Sequence, residues 1–209
     1  MLIDDHPVVR HGVRDALANE PGLRIVDEAA DPEEAMARVR EAAPDLAIVD
    51  VSLGRRNGLD LIKQLRGEHP GMRILVLSVH DEELYAERAL RAGADGYMNK
   101  AEPADRLVES IRTILSGGTA LSPAMTERLV HQAVRTTNGE PTGVQSLSDR
   151  ELEVFHLIGS GESTRKIAKR LCISIKTVET HRENIKRKLG VDNAAELTRY
   201  AIAWVENPS

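Results

Sequence analysis

The sequence is short of the residues that staple a chain, stack on bases or cross a membrane. Its single cysteine, Cys172, excludes an internal disulfide framework and any zinc ribbon built from paired cysteines. Aromatic residues make up 2 % of the chain (Tyr85, Tyr97, Phe155, Tyr200 and Trp204), too few to read single strands by stacking. No apolar run approaches the roughly 18 residues of a membrane span. Met1–Asp5 is too short and too acidic for a signal peptide. A cytoplasmic protein with no membrane contact is therefore expected. The seven histidines show no metal-ligand spacing beside carboxylates, and His6 reads first as a helix-entry residue and second as a modulator of the acidic pair beside it. What remains is an ordinary globular composition, 41 % hydrophobic and 29 % charged, over 209 residues, enough for one or two domains.

The formal net charge of −5 is unevenly spread. Residues 1–117 hold 22 acids against 15 bases, and residues 118–209 hold 11 against 13. Within 163–190, nine bases face only Glu179 and Glu183. A basic stretch inside an acidic protein is a candidate polyanion surface.

Short apolar runs alternate with amphipathic stretches through the first half. The runs Met1–Ile3, Leu23–Val26, Leu46–Val49, Ile74–Leu77 and Gly96–Met98 read as strands. Val9, Val13, Ala16 and Leu17 form one helical face, and Leu107, Ile111, Ile114 and Leu115 another. Pro7, Pro32 and Pro103 suit first helical turns, with Asp31 as an N-cap. Strict alternation predicts an α/β fold, a doubly wound five-stranded parallel sheet with helices on both faces. Ser122-Pro123 opens one more helix, to about Val134, and Thr136–Ser146 reads as linker. The rest is helical in pattern. Ser148 with Glu151, and Asn193 with Glu196, form capping boxes, while Ser163 and Ser174 open two closely spaced helices. That pattern predicts a small all-α helix-turn-helix domain. The expected division is 1–116, a linker with one helix over 117–143, and 144–209.

In an open parallel sheet, ligands bind beyond the carboxyl ends of the strands. Here those ends carry Asp4 and Asp5, Asp50, Ser78 and Lys100. Each alone is an ordinary solvent-facing cap. Together, three carboxylates need a cation among them, and hard oxygen ligands suit Mg²⁺. A phosphoryl group on Asp50 would share its charge with Mg²⁺, the Lys100 ammonium and the Ser78 hydroxyl.

The segments LIDDHPVVRHGV (2–13), LAIVDVSL (46–53), NGLDLI (57–62), ILVLS (74–78) and GADGYMNKA (93–101) resemble the receiver domain of bacterial two-component response regulators, which is flavodoxin-like. The segment 147–191, from LSDRELEVF to KRKLGV, resembles a LuxR-type helix-turn-helix. Together they are similar to the NarL/FixJ family. The resemblance implies that Asp50 is the phosphoacceptor and that Asp4, Asp5, Asp50 and the Ser52 carbonyl hold Mg²⁺. It implies that Ser78 and Tyr97 are a switch pair and that Lys100 contacts the phosphoryl oxygens. A histidine kinase would be the phosphate donor, promoter DNA the target and a homodimer the phosphorylated form. Tyr97 would turn inward on phosphorylation. The chain departs from the family in three places. Only Met1–Ile3 precede the acidic pair, which suggests a first strand cut short before Met1. Gly54 stands where Pro is common, suggesting a mobile loop, and Ala101 also stands where Pro is common.

A recognition helix packs one face and shows the other to DNA. After Ser174, the inward residues are expected to be Ile175, Val178, Ile185 and Leu189. Lys176, Glu179, Thr180 and Glu183 are the candidate base readers. Thr177, His181, Asn184, Lys186 and Lys188, with Arg165 and Lys166 of the preceding helix, are candidate phosphate contacts. Ile202 and Val205 of the last helix suggest a dimer stripe.

Two other functions compete. A haloacid-dehalogenase-type phosphatase also uses a strand-end Asp, but needs Asp-x-Asp after the first strand, where this chain has adjacent carboxylates. A phospho-gated module whose helical domain binds protein instead of DNA keeps some support from the two glutamates on the basic helix. The expectation is a non-enzymatic, DNA-binding regulator.

Overall fold

The computed structural model describes residues 1–53, 56–80, 82–134 and 143–206. Gly54, with the mobility suggested for its loop, and most of the expected linker lie outside them. The chain divides into two compact units, Met1–Thr136 and Thr137–Ser209.

The first unit runs β1 (Leu2–Ile3), α1 (Pro7–Leu17), β2 (Glu28–Ala29), α2 (Pro32–Ala42), β3 (Leu46–Val49), β4 (Ser52–Leu53), β5 (Arg56–Asn57), α3 (Gly58–Glu68), β6 (Arg73–Ser78), α4 (Glu82–Ala92), β7 (Gly96–Asn99), α5 (Ala104–Leu115) and α6 (Pro123–Val134). Five strands form one sheet in the order β2-β1-β3-β6-β7. All their pairings are parallel, as a strand–helix alternation requires. The central β3 is apolar throughout because helices cover both faces of the sheet, and every one of its residues is buried. Leu2, Ile48, Leu75, Leu77 and Met98 meet Val13, Leu17, Leu107, Ile111 and Ile114 in one core.

Asp31 and Asn57 cap α2 and α3 by accepting from the amides of Glu34 and Leu59 at 2.9 and 2.8 Å. Pro7 and Pro32 occupy first turns as expected. Pro103 instead stands one place earlier, as the residue before α5, in extended backbone.

The second strand corrects the sequence reading. It is Glu28–Ala29, not Leu23–Val26. The ladder is set by the short β1, whose Leu2 faces Glu28 and Ile3 faces Ala29. Leu23 and Ile25 pack on the core from the loop ahead of it. Their apolar character reports burial without strand pairing. A small antiparallel pair, β4 with β5, was also not anticipated.

After α5 the chain returns to the outer edge of β7. Ala120 bridges Gly96, and its carbonyl accepts from the Tyr97 amide at 2.8 Å. α6 then packs on α4 within the same unit.

Among its described residues, the second unit holds a 3-10 turn (Gly143–Ser146) and four helices: α7 (Asp149–Gly159), α8 (Thr164–Arg170), α9 (Ile175–Leu189) and α10 (Ala194–Glu206). Ser148 and Glu151 complete a reciprocal capping box at α7. At α10, Asn193 caps the Glu196 amide at 2.9 Å, but Glu196 reaches back to Asp192, one residue earlier than a box requires. Gly159 lets α7 and α10 cross closely, since a Cβ there would collide with the Ala201 carbonyl. Phe155 packs against Tyr200 and Trp204 at ring-centroid distances of 5.8 and 5.3 Å.

Candidate functional site

Register builds the site in the first unit. Ile3 faces Val49 across β1 and β3, so the next residues, Asp4 and Asp50, emerge side by side. Ser78 ends β6 opposite Asn99 of β7, which delivers Lys100 to the same end of the sheet. Gly58 makes room behind Asp50, for a Cβ there would collide with the Asp50 carbonyl.

Asp4 and Asp50 are almost fully buried, at 1 % and 2 % exposure. Lys100 Nζ lies between them, 2.6 Å from Asp4 Oδ2 and 2.7 Å from Asp50 Oδ2. Asp50 Oδ1 accepts from the Ser52 amide at 3.2 Å. Burial still dominates: it pushes the Asp50 carboxyl up to about 6, against the pull of Lys100. The more exposed Asp5 sits 2.7 Å from His6 Nδ1.

Asp4, Asp5, His6 and Asp50 each offer a ligand atom, all within 4.8 Å of one another. Three carboxylate oxygens fit a hard dication better than any soft metal. His6 enters α1, as expected, but its ring also faces the carboxylates. The sequence places it beside the acidic pair as a modulator of the site at most, because adjacent residues in a strand-end loop show no helical or strand-like ligand spacing.

Ser78 and Tyr97 are both buried and are joined through His80, which sequence reasoning passed over. The His80 amide donates to Ser78 Oγ at 3.2 Å, and Tyr97 donates its hydroxyl to the His80 carbonyl at 2.9 Å. His80 Nε2 is 2.9 Å from Ser52 Oγ. The Tyr97 ring is turned inward, 2 % exposed. The only signal for His80 in the sequence was a polar residue two places beyond a strand end.

In the second unit, Lys176, Thr177, Glu179, Thr180 and Glu183 of α9 are exposed, as are Arg165 and Lys166 of α8. Ser174 fixes the start of α9, its hydroxyl accepting from the Thr177 amide at 3.0 Å. Val178 and Ile185 face inward as expected, but Ile175 does not: it is 50 % exposed at the open first position of the helix. Lys186, half-buried along its stem, pairs with Glu183 at 3.0 Å, and Asn184 accepts from Arg187 at 3.0 Å. Lys188 does not point freely outward. Its ammonium is 2.6 Å from Glu151 of α7, a buried carboxylate. Burial alone would raise the Glu151 pKa, but Lys188 and the Ser148 groups outweigh it and hold it below the usual carboxylate value. His181 is half-buried, and burial, with Arg150 nearby, lowers its pKa.

Among the described residues no helix is long and apolar enough to cross a membrane. Residues 1–112 match the response regulator receiver domain, and residues 145–201 match the bacterial regulatory proteins of the luxR family. The chain is 36 % identical over 207 residues to the oxygen regulatory protein NreC of Staphylococcus carnosus, covering 97 % of this chain and 95 % of NreC. It is 32 % identical to the transcriptional regulatory protein DegU of Brevibacillus brevis, covering 99 % and 94 %. Among solved structures, RcsB of Salmonella enterica serovar Typhimurium, bound to promoter rprA in the presence of phosphomimetic BeF3-, matches with a TM-score of 0.63. It is 25 % identical, and the match covers 96 % of each chain.

Proposed function

This chain belongs to the NarL/FixJ response regulators, with a receiver domain and a LuxR-type DNA-binding domain, and on that premise we propose that phosphorylation of Asp50 governs its binding to promoter DNA. The observation that carries this reading is the Asp4–Lys100–Asp50 cluster at adjoining strand ends. A carboxylate oxygen of Asp50 attacks the phosphorus of a phosphohistidine on a partner kinase. The P–N bond breaks, and an acyl phosphate forms on Asp50. Lys100 already contacts the Asp50 carboxylate and is placed to balance the added charge. Ser78 and Tyr97 respond through the buried contacts around His80. The phosphorylated protein acts as a homodimer. The receiver is assigned to 1–116, the linker helix to 117–143 and the DNA-binding domain to 144–209.

Asp4, Asp5, Asp50 and the Ser52 carbonyl would hold Mg²⁺. When bound, the ion supplies positive charge against the transferring phosphoryl oxygens. Removing one carboxylate should weaken the site far more than removing a hydroxyl that serves after transfer. Asp5→Asn is expected to lose most Mg²⁺ affinity and Ser78→Ala to keep it, by direct titration of the full chain. The reverse ranking would show the residues to be misassigned.

In the second unit, Lys176, Glu179, Thr180 and Glu183 are the proposed base readers, because they are exposed near the capped start of α9. Arg165, Lys166, Thr177, His181, Asn184 and Lys186 are the proposed backbone contacts. Lys188 is the weakest member of that set, since Glu151 holds its ammonium. The test is binding to duplex DNA across a salt series, using fragments recovered with the phosphorylated protein as the cognate site. Lys176→Ala should cost ~1–3 kcal/mol at the cognate site alone, whereas Lys186→Ala should weaken all sequences and lower the salt slope by about one. A flat salt response in the unaltered protein would favour a helical domain that binds protein.

A further inference from the structure

One line of contacts, buried at Tyr97, part-buried along most of its length and exposed at its far end, leaves the phosphoryl site and ends on α6. Ser52, whose amide holds Asp50 Oδ1, shares a hydrogen bond between its hydroxyl and His80 Nε2 at 2.9 Å. The His80 ring stacks on Tyr85 of α4, with ring centroids 4.5 Å apart and planes 19° from parallel. Its carbonyl accepts from Tyr97 Oη and Asn99 Nδ2, at 2.9 and 3.0 Å. Two residues later, Glu82 opens α4, and its Oε1 accepts from the amide of Ser122 at the start of α6, at 2.8 Å. Glu83 pairs with Arg128 of α6 at 3.3 Å.

We infer that His80 is a positioning residue for the phosphoryl chemistry and the joint through which that site is felt at α6. The inference rests on the proposed phosphorylation of Asp50. One rigid ring serves both ends. Its Nε2 fixes Ser52, and so the loop whose amide orients the Asp50 carboxylate. Its stacked face and its carbonyl fix the entry to α4, from which Glu82 and Glu83 hold α6. A phosphoryl group on Asp50 changes what the Ser52 amide and hydroxyl face. The ring cannot follow Ser52 without sliding over Tyr85. A packed ring of this kind passes a displacement on because close-packed interiors do not absorb it locally.

Two variants separate the two ends. His80→Phe keeps a ring against Tyr85 and loses the bond to Ser52. His80→Gln keeps a polar amide in reach of Ser52 and loses the stack. Both are made in the full chain, with two readouts: Mg²⁺ titration, and amide hydrogen exchange in α6 before and after acetyl phosphate. The Phe variant is expected to bind Mg²⁺ about 10-fold more weakly, the scale of losing a group that orients a metal ligand. The Gln variant is expected to bind Mg²⁺ near the wild-type value, yet to lose the change in α6 exchange that acetyl phosphate produces in the wild type. Glu82→Ala should raise α6 exchange before any phosphate is added. Unchanged Mg²⁺ affinity in the Phe variant, or an intact phosphate-dependent change in the Gln variant, overturns the inference. Should the wild type gain a phosphoryl mass with no change in α6, the joint fails while phosphorylation of Asp50 stands. If Asp50→Asn shows the same change as the wild type, the reading of Asp50 fails instead.

Discussion

Asp50→Asn is expected to take up no phosphoryl group. The wild-type chain, treated with acetyl phosphate and Mg²⁺ and weighed intact, should gain roughly 80 Da, the mass of one phosphoryl group. The variant keeps the size of the side chain and its neighbours but lacks a nucleophilic carboxylate oxygen. The case for Asp50 over Asp4 is positional. Both carboxylates touch Lys100, but only Asp50 directly follows the central β3, with the Ser52 amide on its other oxygen. Asp4 has its Oδ1 taken by the His6 amide at 2.8 Å. Equal uptake by the variant would move the acceptor elsewhere.

The same substitution should make the metal-free protein more stable at neutral pH. Burial raises the Asp50 carboxyl from the ordinary 3.8 to about 6, even with Lys100 beside it. An acid whose folded-state pKa is raised costs stability wherever the unfolded chain would ionise it and the fold resists. The cost is absent below the unfolded value, grows between about 4 and 6, and is complete above. At roughly 1.4 kcal/mol per pKa unit it reaches on the order of 3 kcal/mol at pH 7.5. Asparagine carries no charge and escapes it. Calorimetry in EDTA should therefore find Asp50→Asn melting above the wild type at pH 7.5, with the difference shrinking to about a third at pH 4.5. A variant that melts lower, or a gap that ignores pH, would mean that burial is not what strains this carboxylate.

The sequence was legible where one local signal matched one structural demand. Asp31, Ser148, Ser163 and Ser174 were read as caps because a short side chain before an amphipathic run has few other uses, and all four accept from a backbone amide three residues on. The strand-end carboxylates were readable for a similar reason: an apolar run that ends in Asp marks the rim of a parallel sheet. Pairing was less legible. Leu23–Val26 is as apolar as a strand, but the ladder is fixed by β1, which reaches only Glu28–Ala29. Contacts made by side chains from distant elements left no local trace. Nothing near Lys188 in the sequence announces that Glu151, 37 residues earlier, will hold its ammonium, and nothing near His80 announces Ser52.

The bridge from Ala120 to Gly96 has a consequence for how the molecule behaves in a crowd. An open sheet has two edges, and each row of unpaired amides and carbonyls is a template on which a foreign strand can add. On one side the template is too short, since β2 is two residues long. On the other, the returning chain occupies β7 at Gly96 and Tyr97, and α6 packs on α4 next to it. Among the described residues, neither margin offers a long open template, so edge-to-edge addition of a second copy has little backbone to build on. A backbone-zippered aggregate persists once formed, and short, covered margins of this kind remove its starting point.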